Sequence, residues 1–269
     1  MVCEHILRTL IVIPARYKST RFEGKPLALI RDKNGIGKTL IERTWVSAKK
    51  VKNIEKVIIA TDDERIEKEC KRFGADVVMT SKSCKNGTER VVETVKSLKE
   101  NYDVVINFQG DSPLIHSEYV YSVINSMNDK TVRIATPVLE VNKTLFKQIK
   151  KDRNAGIVGS TSVVFKKNYD ALYFSKIFIP LKTPDTNFKP KSYYFHIGLY
   201  AYRSNALEKY TNFGEGRLES IEGLEQLRFL ENDIAIKCVP VRRKKQSIWE
   251  VNNFSDVEIV EKILASSSF

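Results

Sequence analysis

Leu10-Ile11-Val12-Ile13-Pro14 decides the fold of this chain. A short run of apolar, β-branched residues between polar flanks has the composition of a strand covered on both faces, which is the situation inside a parallel sheet. The same signal recurs outward from it. Lys56-Val57-Ile58-Ile59-Ala60 ends in Thr61-Asp62-Asp63, Val77-Val78-Met79 reads as a further strand, and Asp103-Val104-Val105-Ile106-Asn107-Phe108 ends in Gln109-Gly110-Asp111. Helical periodicity fills the gaps at about 39–50, 63–73 and 88–100. Strands alternating with helices at this spacing predict βαβ units. The expected class is therefore α/β, with a mostly parallel, Rossmann-like central sheet flanked by helices.

After about residue 130 the rhythm changes. Strand-like stretches lie at 132–138, 157–165 and 195–202, with a polar, proline-punctuated loop between Pro180 and Pro190. Helical patterns return at about 204–211, 219–231 and 256–265. This half is expected to add antiparallel strands to the sheet edge or to form a small lobe.

Composition excludes several classes. Of the 269 residues 29% are charged, and no apolar run approaches the roughly 20 residues that a membrane span needs. Residues Met1 to Arg8 lack the apolar core of a signal peptide, so a cytoplasmic location is expected. The four cysteines are scattered without a C-x-x-C pair, which argues against zinc and disulfides. A net charge of +12 calls for anionic partners without naming them. Its densest run, Arg242-Arg243-Lys244-Lys245, reads as a solvated turn ahead of a short apolar strand. The other cations are dispersed, unlike the clustered face of a nucleic-acid binder.

Ligands of open α/β sheets bind beyond the carboxyl ends of the strands. The segment there after the first strand runs from Pro14 to Pro26 and holds Arg16, Lys18, Arg21 and Lys25 against the single acid Glu23. Ala15, Ser19, Thr20 and Gly24 allow close backbone approach and add donors, a combination suited to a triphosphate. It is neither a Walker loop nor a G-x-G-x-x-G fingerprint. Arg90 follows Gly87 at a helix start, where free N–H groups can face an anion.

The string I-P-A-R-Y-x-S-T-R-x-x-G-K-P at 13–26 resembles the nucleotide loop of the CMP-Kdo synthetases (3-deoxy-manno-octulosonate cytidylyltransferases). A-T-D-D at 60–63, N-G-T-E-R at 86–90, Q-G-D-x-P at 109–113, A-L-Y-F-S-K-x-x-I-P at 171–180, H-I-G-L-Y-A-Y-R at 196–203 and L-E-Q-L-R at 224–228 follow in the family's order. The resemblance spans about residues 8 to 262. It implies one cytidylyltransferase domain over 1–269, with a nucleotide part at about 8–130 and a sugar-binding and dimerisation part at about 131–269. It implies a reaction of CTP with a 2-keto-3-deoxy acid sugar, giving the CMP-sugar for surface polysaccharide and pyrophosphate. On that basis Arg16, Ser19, Arg21 and Lys25 would hold the triphosphate, Thr80, Ser81 and Gln109 would line the cytidine side, and Pro14, Ala15 and Gly87 would complete the nucleotide site. Arg16, Lys25 and Asp111 would be catalytic. Arg90, His196, Tyr200, Glu225 and Gln226 would hold the sugar, and Asp111 would bind Mg²⁺. A homodimer is expected, with neither nucleic acid nor membrane insertion.

The sequence departs from the family's pattern late in the chain. The family's G-V-D-T-P-E-D stands here as Glu250-Val251-Asn252-Asn253-Phe254-Ser255-Asp256, so the second metal aspartate aligns with Asn252. An amide oxygen can ligate Mg²⁺ but carries no charge. Three accounts stay open: Asn252 is a weaker ligand, Asp256 serves instead, or the acceptor is another acid such as an amino-Kdo, a nonulosonate or a phosphonate. Ser255 reads as the N-cap of the last helix, which disfavours Asp256. The rival classes are a nucleoside-diphosphate-sugar pyrophosphorylase and a nucleotide-binding pseudoenzyme.

Overall fold

Strand β1 (Thr9–Ala15) is buried at every position and alternates its side chains between two cores. Ile11, Ile13 and Ala15 face one layer, and Leu10 and Val12 face the other. The computed structural model describes residues 7–142, 146, 161–180, 193–244 and 248–266. Residues 157–160 of one expected strand, and nearly all of the loop between Pro180 and Pro190, lie outside them.

A hairpin of β2 (Leu29–Arg31) and β3 (Gly37–Thr39) follows β1, then α1 (Leu40–Lys49), β4 (Lys56–Thr61), α2 (Glu64–Arg72), β5 (Asp76–Met79), α3 (Gly87–Ser97) and β6 (Val104–Phe108). Helix α4 (Ser117–Ser126) leads into β7 (Ile134–Glu140), β8 (Ser162–Phe165), β9 (Ala171–Ser175), β10 (Tyr194–His196) and β11 (Leu199–Arg203). The chain ends through α5 (Ser204–Glu208), α6 (Arg217–Glu222), α7 (Leu227–Glu231), β12 (Ile236–Val241) and α8 (Ser255–Ser266). One sheet of ten strands runs β5-β4-β1-β6-β11-β7-β10-β8-β9, with β12 on the other edge of β7.

Strands β5, β4, β1 and β6 are parallel, as their apolar runs predict. From β1 the order steps outward to β4 and β5, then reverses to place β6 on the opposite side of β1. Such a reversal leaves a crevice beyond the strand ends, here between β1 and β6. Pairing of β1 with β6 stops at Val12 and Asn107, so Pro14, which has no N–H, takes nothing from the ladder on that side. Gly110 then packs against it. A Cβ at residue 110 would stand 2.5 Å from the Pro14 carbonyl oxygen, so only glycine fits.

The second half is antiparallel except for β12, which runs parallel to β7. The expected strand at 195–202 is two strands on the same edge of β7. They break at Ile197-Gly198, where the Thr136 hydroxyl donates to the carbonyls of Ile197 and Leu199 at 3.3 and 2.8 Å. Beyond the break the far edge changes partner: β11 pairs with β6, and β10 pairs with β8. The sheet forks there and opens a space next to the β1–β6 crevice.

Two local expectations are corrected. The helix expected over 219–231 is two short helices, because Gly223 sits at φ 60° and ends α6 in a left-handed turn. Glu225 and Gln226 therefore lie in the connecting turn rather than on a helix face. The basic run at 242–245 follows strand β12, and residues 248–250 after it are not a strand.

Candidate active site

The crevice and the fork merge into one cleft of about 560 Å³. Its walls are the loop after β1, the start of α3, the β6–α4 connection, the fork and the α6–α7 turn. Pro14, Ala15, Arg16, Ser19, Arg21 and Lys25 line one end, and Gly87, Arg90, Gln109 and Asp111 the middle. His196, Tyr200, Glu225 and Gln226 line the other end. Thr80, Ser81 and Asn252 stand outside this lining. Thr80 is buried behind it, and Ser81 bonds to Ser83 and, through its N–H, to Glu93.

The cationic loop is held from behind. Gly24, at φ 68°, donates its N–H to the Tyr17 carbonyl at 2.9 Å, and a Cβ there would press on the Tyr17 ring at 3.0 Å. Arg65 sits 3.3 Å over the centroid of that ring and forks onto Asp63 at 2.9 and 2.7 Å. Arg16 and Arg21 stay exposed toward the cleft. Lys25 instead reaches the Asp111 carboxylate at 2.7 Å, joining the loop to the end of β6.

Residues 249–256 brace this junction. The Val251 N–H donates to the Asp111 carbonyl at 2.9 Å, and Arg21 donates to the Asn252 amide oxygen at 3.3 Å. Phe254 meets Phe22 edge-on at 5.5 Å. Asp256 accepts from the Trp249 indole and from the N–H groups of Asn252 and Asn253, at 3.0, 2.8 and 2.6 Å, so it serves its own turn. Glu250, which sequence reasoning missed, is raised to about 7 by burial and then by the charge of Asp111, with Lys25 pulling the other way. No spacing rule marks it; the one signal was a carboxylate two positions from Asn252.

The far end carries uncharged polar groups beside Glu225. Buried, unpartnered polar atoms are costly and uncommon, yet His196 Nε2, the Tyr200 hydroxyl and Gln226 Nε2 all lack a hydrogen-bond partner. All three residues line the cleft. Burial pushes His196 down to about 3, which leaves a neutral imidazole, and pushes the Tyr200 hydroxyl well up. The two rings lie 5.0 Å apart.

At the start of α3 the cleft-lining side chains are also engaged within the protein. Glu225 takes the Thr88 N–H at 3.1 Å, and burial raises its pKa. Arg90, 2% exposed, is held by Asp62 at 3.0 Å and by the Thr80 hydroxyl. Its charge is thus largely matched within the protein. The turn carrying Glu225 and Gln226 rests on Arg228, also 2% exposed, which forks onto Glu219 at 2.6 and 2.8 Å and reaches Glu89 of α3 at 3.1 Å.

Residues 10–237 match the family model described as cytidylyltransferase. A 3-deoxy-manno-octulosonate cytidylyltransferase of Maricaulis maris is 41% identical over 97% of this chain and 98% of its own. The mitochondrial 3-deoxy-manno-octulosonate cytidylyltransferase of Arabidopsis thaliana is 37% identical over 96% of this chain and 83% of its own. A solved CMP:2-keto-3-deoxy-manno-octonic acid synthetase complexed with CTP superposes with a TM-score of 0.79 at 32% identity, over 96% of this chain and 98% of that one. With the family model covering most of the chain and such relatives matching nearly end to end, this chain belongs to the 3-deoxy-manno-octulosonate cytidylyltransferase family and is a nucleotidyltransferase.

Proposed function

We propose that the chain transfers CMP from CTP to 3-deoxy-manno-octulosonate (Kdo) or a sugar of that type, with release of pyrophosphate. The observation that carries this reading is the division of the cleft. Arg16, Arg21 and Lys25 come from one loop with Asp111 bonded to Lys25, while His196, Tyr200 and Gln226 bring three unpartnered polar groups from the fork and the α6–α7 turn. Cations suit a triphosphate, and neutral donors and acceptors suit hydroxyls.

In this arrangement the sugar's anomeric oxygen attacks the α-phosphorus and the bond to the β-phosphate breaks. Such transfer needs in-line positioning and cations at the departing charge more than covalent help. Arg16 and Lys25 meet the pyrophosphate, while His196, Tyr200 and Gln226 hold the sugar from the fork. Glu225, fixed to the start of α3, closes that wall. Mg²⁺ would be held by the Asp111 carboxylate, a hard oxygen donor at the junction, while the Asn252 amide oxygen beside it accepts from Arg21. When bound, the ion supplies charge neutralisation across phosphate oxygens.

We further propose a homodimer and a cytoplasmic location. Leu172 on the edge strand β9 and Ile177 just after it are more than half exposed, which supports the first; the free thiols of Cys70, Cys84 and Cys238 support the second.

Pyrophosphate release tests the reaction, with CTP, UTP, GTP and dTTP crossed against Kdo, an amino-Kdo, a nonulosonate, a phosphonate and a sugar 1-phosphate. Release with CTP and Kdo is expected. Release from the sugar 1-phosphate alone would make the chain a pyrophosphorylase, and CTP binding without release from any acceptor would make it a pseudoenzyme. Tyr200→Phe sharpens the assignment. The hydroxyl has no partner in the protein, so the fold should keep its melting temperature. Losing one sugar contact of about 1–3 kcal/mol should lower kcat/KM for the sugar roughly 10- to 100-fold. An unchanged kcat/KM would remove Tyr200 from the sugar site.

A further inference from the structure

Asp111 alone is a thin anchor for a divalent ion. The neutral amide of Asn252 adds little, because its oxygen already accepts from the Arg21 guanidinium at 3.3 Å. Asp256 is also removed, since its two oxygens are taken by Trp249, Asn252 and Asn253. One further acid stands at the junction. We propose that Glu250 supplies the second carboxylate of the divalent-cation site that Asp111 begins, the charge that Asn252 lacks. This rests on the reading of the cleft as a CTP-dependent transferase site.

Backbone geometry fixes where Glu250 can be. The Val251 N–H donates to the Asp111 carbonyl at 2.9 Å, which clamps residues 250–252 against the end of β6. Glu250 then lies against the fork. Its Oε1 is 3.0 Å from the point where a Cβ on residue 198 would stand, and Gln109 Cγ is 3.3 Å from the same point. Glycine at 198 leaves the room that this carboxylate occupies. The foremost charges acting on Glu250 are Asp111 and Lys25. Lys25 is bonded to Asp111 at 2.7 Å, and the Glu250 carboxylate accepts from the Asn252 side chain and the Gly198 N–H.

With the cleft empty of nucleotide, Lys25 neutralises Asp111. Once a triphosphate arrives, Lys25 turns to the phosphates and Asp111 loses its cation, with Glu250 held next to the Val251 clamp on the same junction. A divalent cation is the complement of that pair, and its hard-oxygen preference matches the donors. Metal and nucleotide then enter together, each neutralising what the other exposes.

Mn²⁺ serves as the probe, titrated into the full chain with and without CTP and followed by the loss of free-ion electron paramagnetic resonance signal. Glu250→Gln keeps the shape and removes the charge; it should weaken Mn²⁺ binding in the presence of CTP about 10- to 100-fold. Adding Asn252→Asp to that variant should recover much of the loss. Should Glu250→Gln fail to fold, Glu250→Asp retracts the carboxylate by one methylene and should still weaken Mn²⁺ several-fold. If the folded variant binds Mn²⁺ within twofold of the parent while Asp111→Asn loses it, Glu250 is not a ligand and the proposal falls. If Asn252→Asp alone tightens binding and both Glu250 variants leave it unchanged, the second ligand is residue 252. The reading of the whole cleft fails in another way, through a parent chain that releases no pyrophosphate from any acceptor.

Discussion

Arg228→Met is expected to lower the unfolding free energy by about 3–5 kcal/mol, because it removes one member of a buried ion cluster and leaves the others uncompensated. Arg228 bonds Glu219 twice, reaches Glu89 and lies 4.0 Å from the centroid of the Tyr210 ring. Without it the Glu219 carboxylate, 7% exposed, keeps only the weaker donors Asn86, Tyr210 and the Gly216 N–H, at 3.3, 3.2 and 3.1 Å. Methionine fills similar space, so the loss is electrostatic rather than a cavity. Urea denaturation at constant pH measures it. Arg228→Met with Glu219→Leu should recover a large part of the loss, since the stranded charge is then gone. A single variant within 1 kcal/mol of the parent would show that the cluster does not hold α6 and α7 to α3.

Lys25→Ala should reduce kcat by roughly 10²- to 10³-fold, the range seen when one preorganised donor to a developing anion is removed. Lys25 is the loop cation that the structure bonds to Asp111, which keeps it extended toward the cleft. Because its side chain is 16% exposed and lies at a cleft wall, the fold should survive the change. Steady-state turnover with saturating CTP and sugar reads the effect, beside a thermal melt as control. Loss confined to KM for CTP, with kcat intact, would make Lys25 a binding residue with no share in the chemistry.

The parallel core was legible because each of its strands is a continuous apolar run, and no other environment buries Leu10 to Ile13 on both faces. The crevice followed from the same runs, since strand ends place the loops. What escaped was set by tertiary contacts. Hairpin β2–β3 is three residues a side and has one fully buried side chain, Ile30, against Val251 and Leu264 from the far end of the chain. Strands β9 and β12 carry no long apolar run, so their pairing partners decide them. Gly223 ends α6 in a left-handed turn, so Glu225 and Gln226 stand in a turn and not on the helix that periodicity predicts. At the site, the motifs identified most of the lining. Arg90 had its charge already matched by Asp62, a pairing that depends on the β4–α3 approach and not on spacing.

The break at Ile197-Gly198 bears on how this kind of chain can diverge. On the proposed reading, the loops that follow β1 and β6 take the donor nucleotide, and side chains on either side of a two-residue interruption in one strand take the acceptor. Pairing along β7 resumes beyond that interruption, from Phe195 with Leu139 to Ala201 with Ala135, so this strand spends two residues more than β7 over the same stretch. Substitutions around 196–200 can therefore reshape one pocket without moving the strands that carry the other. A lineage can alter the sugar it accepts while inheriting its nucleotide unchanged.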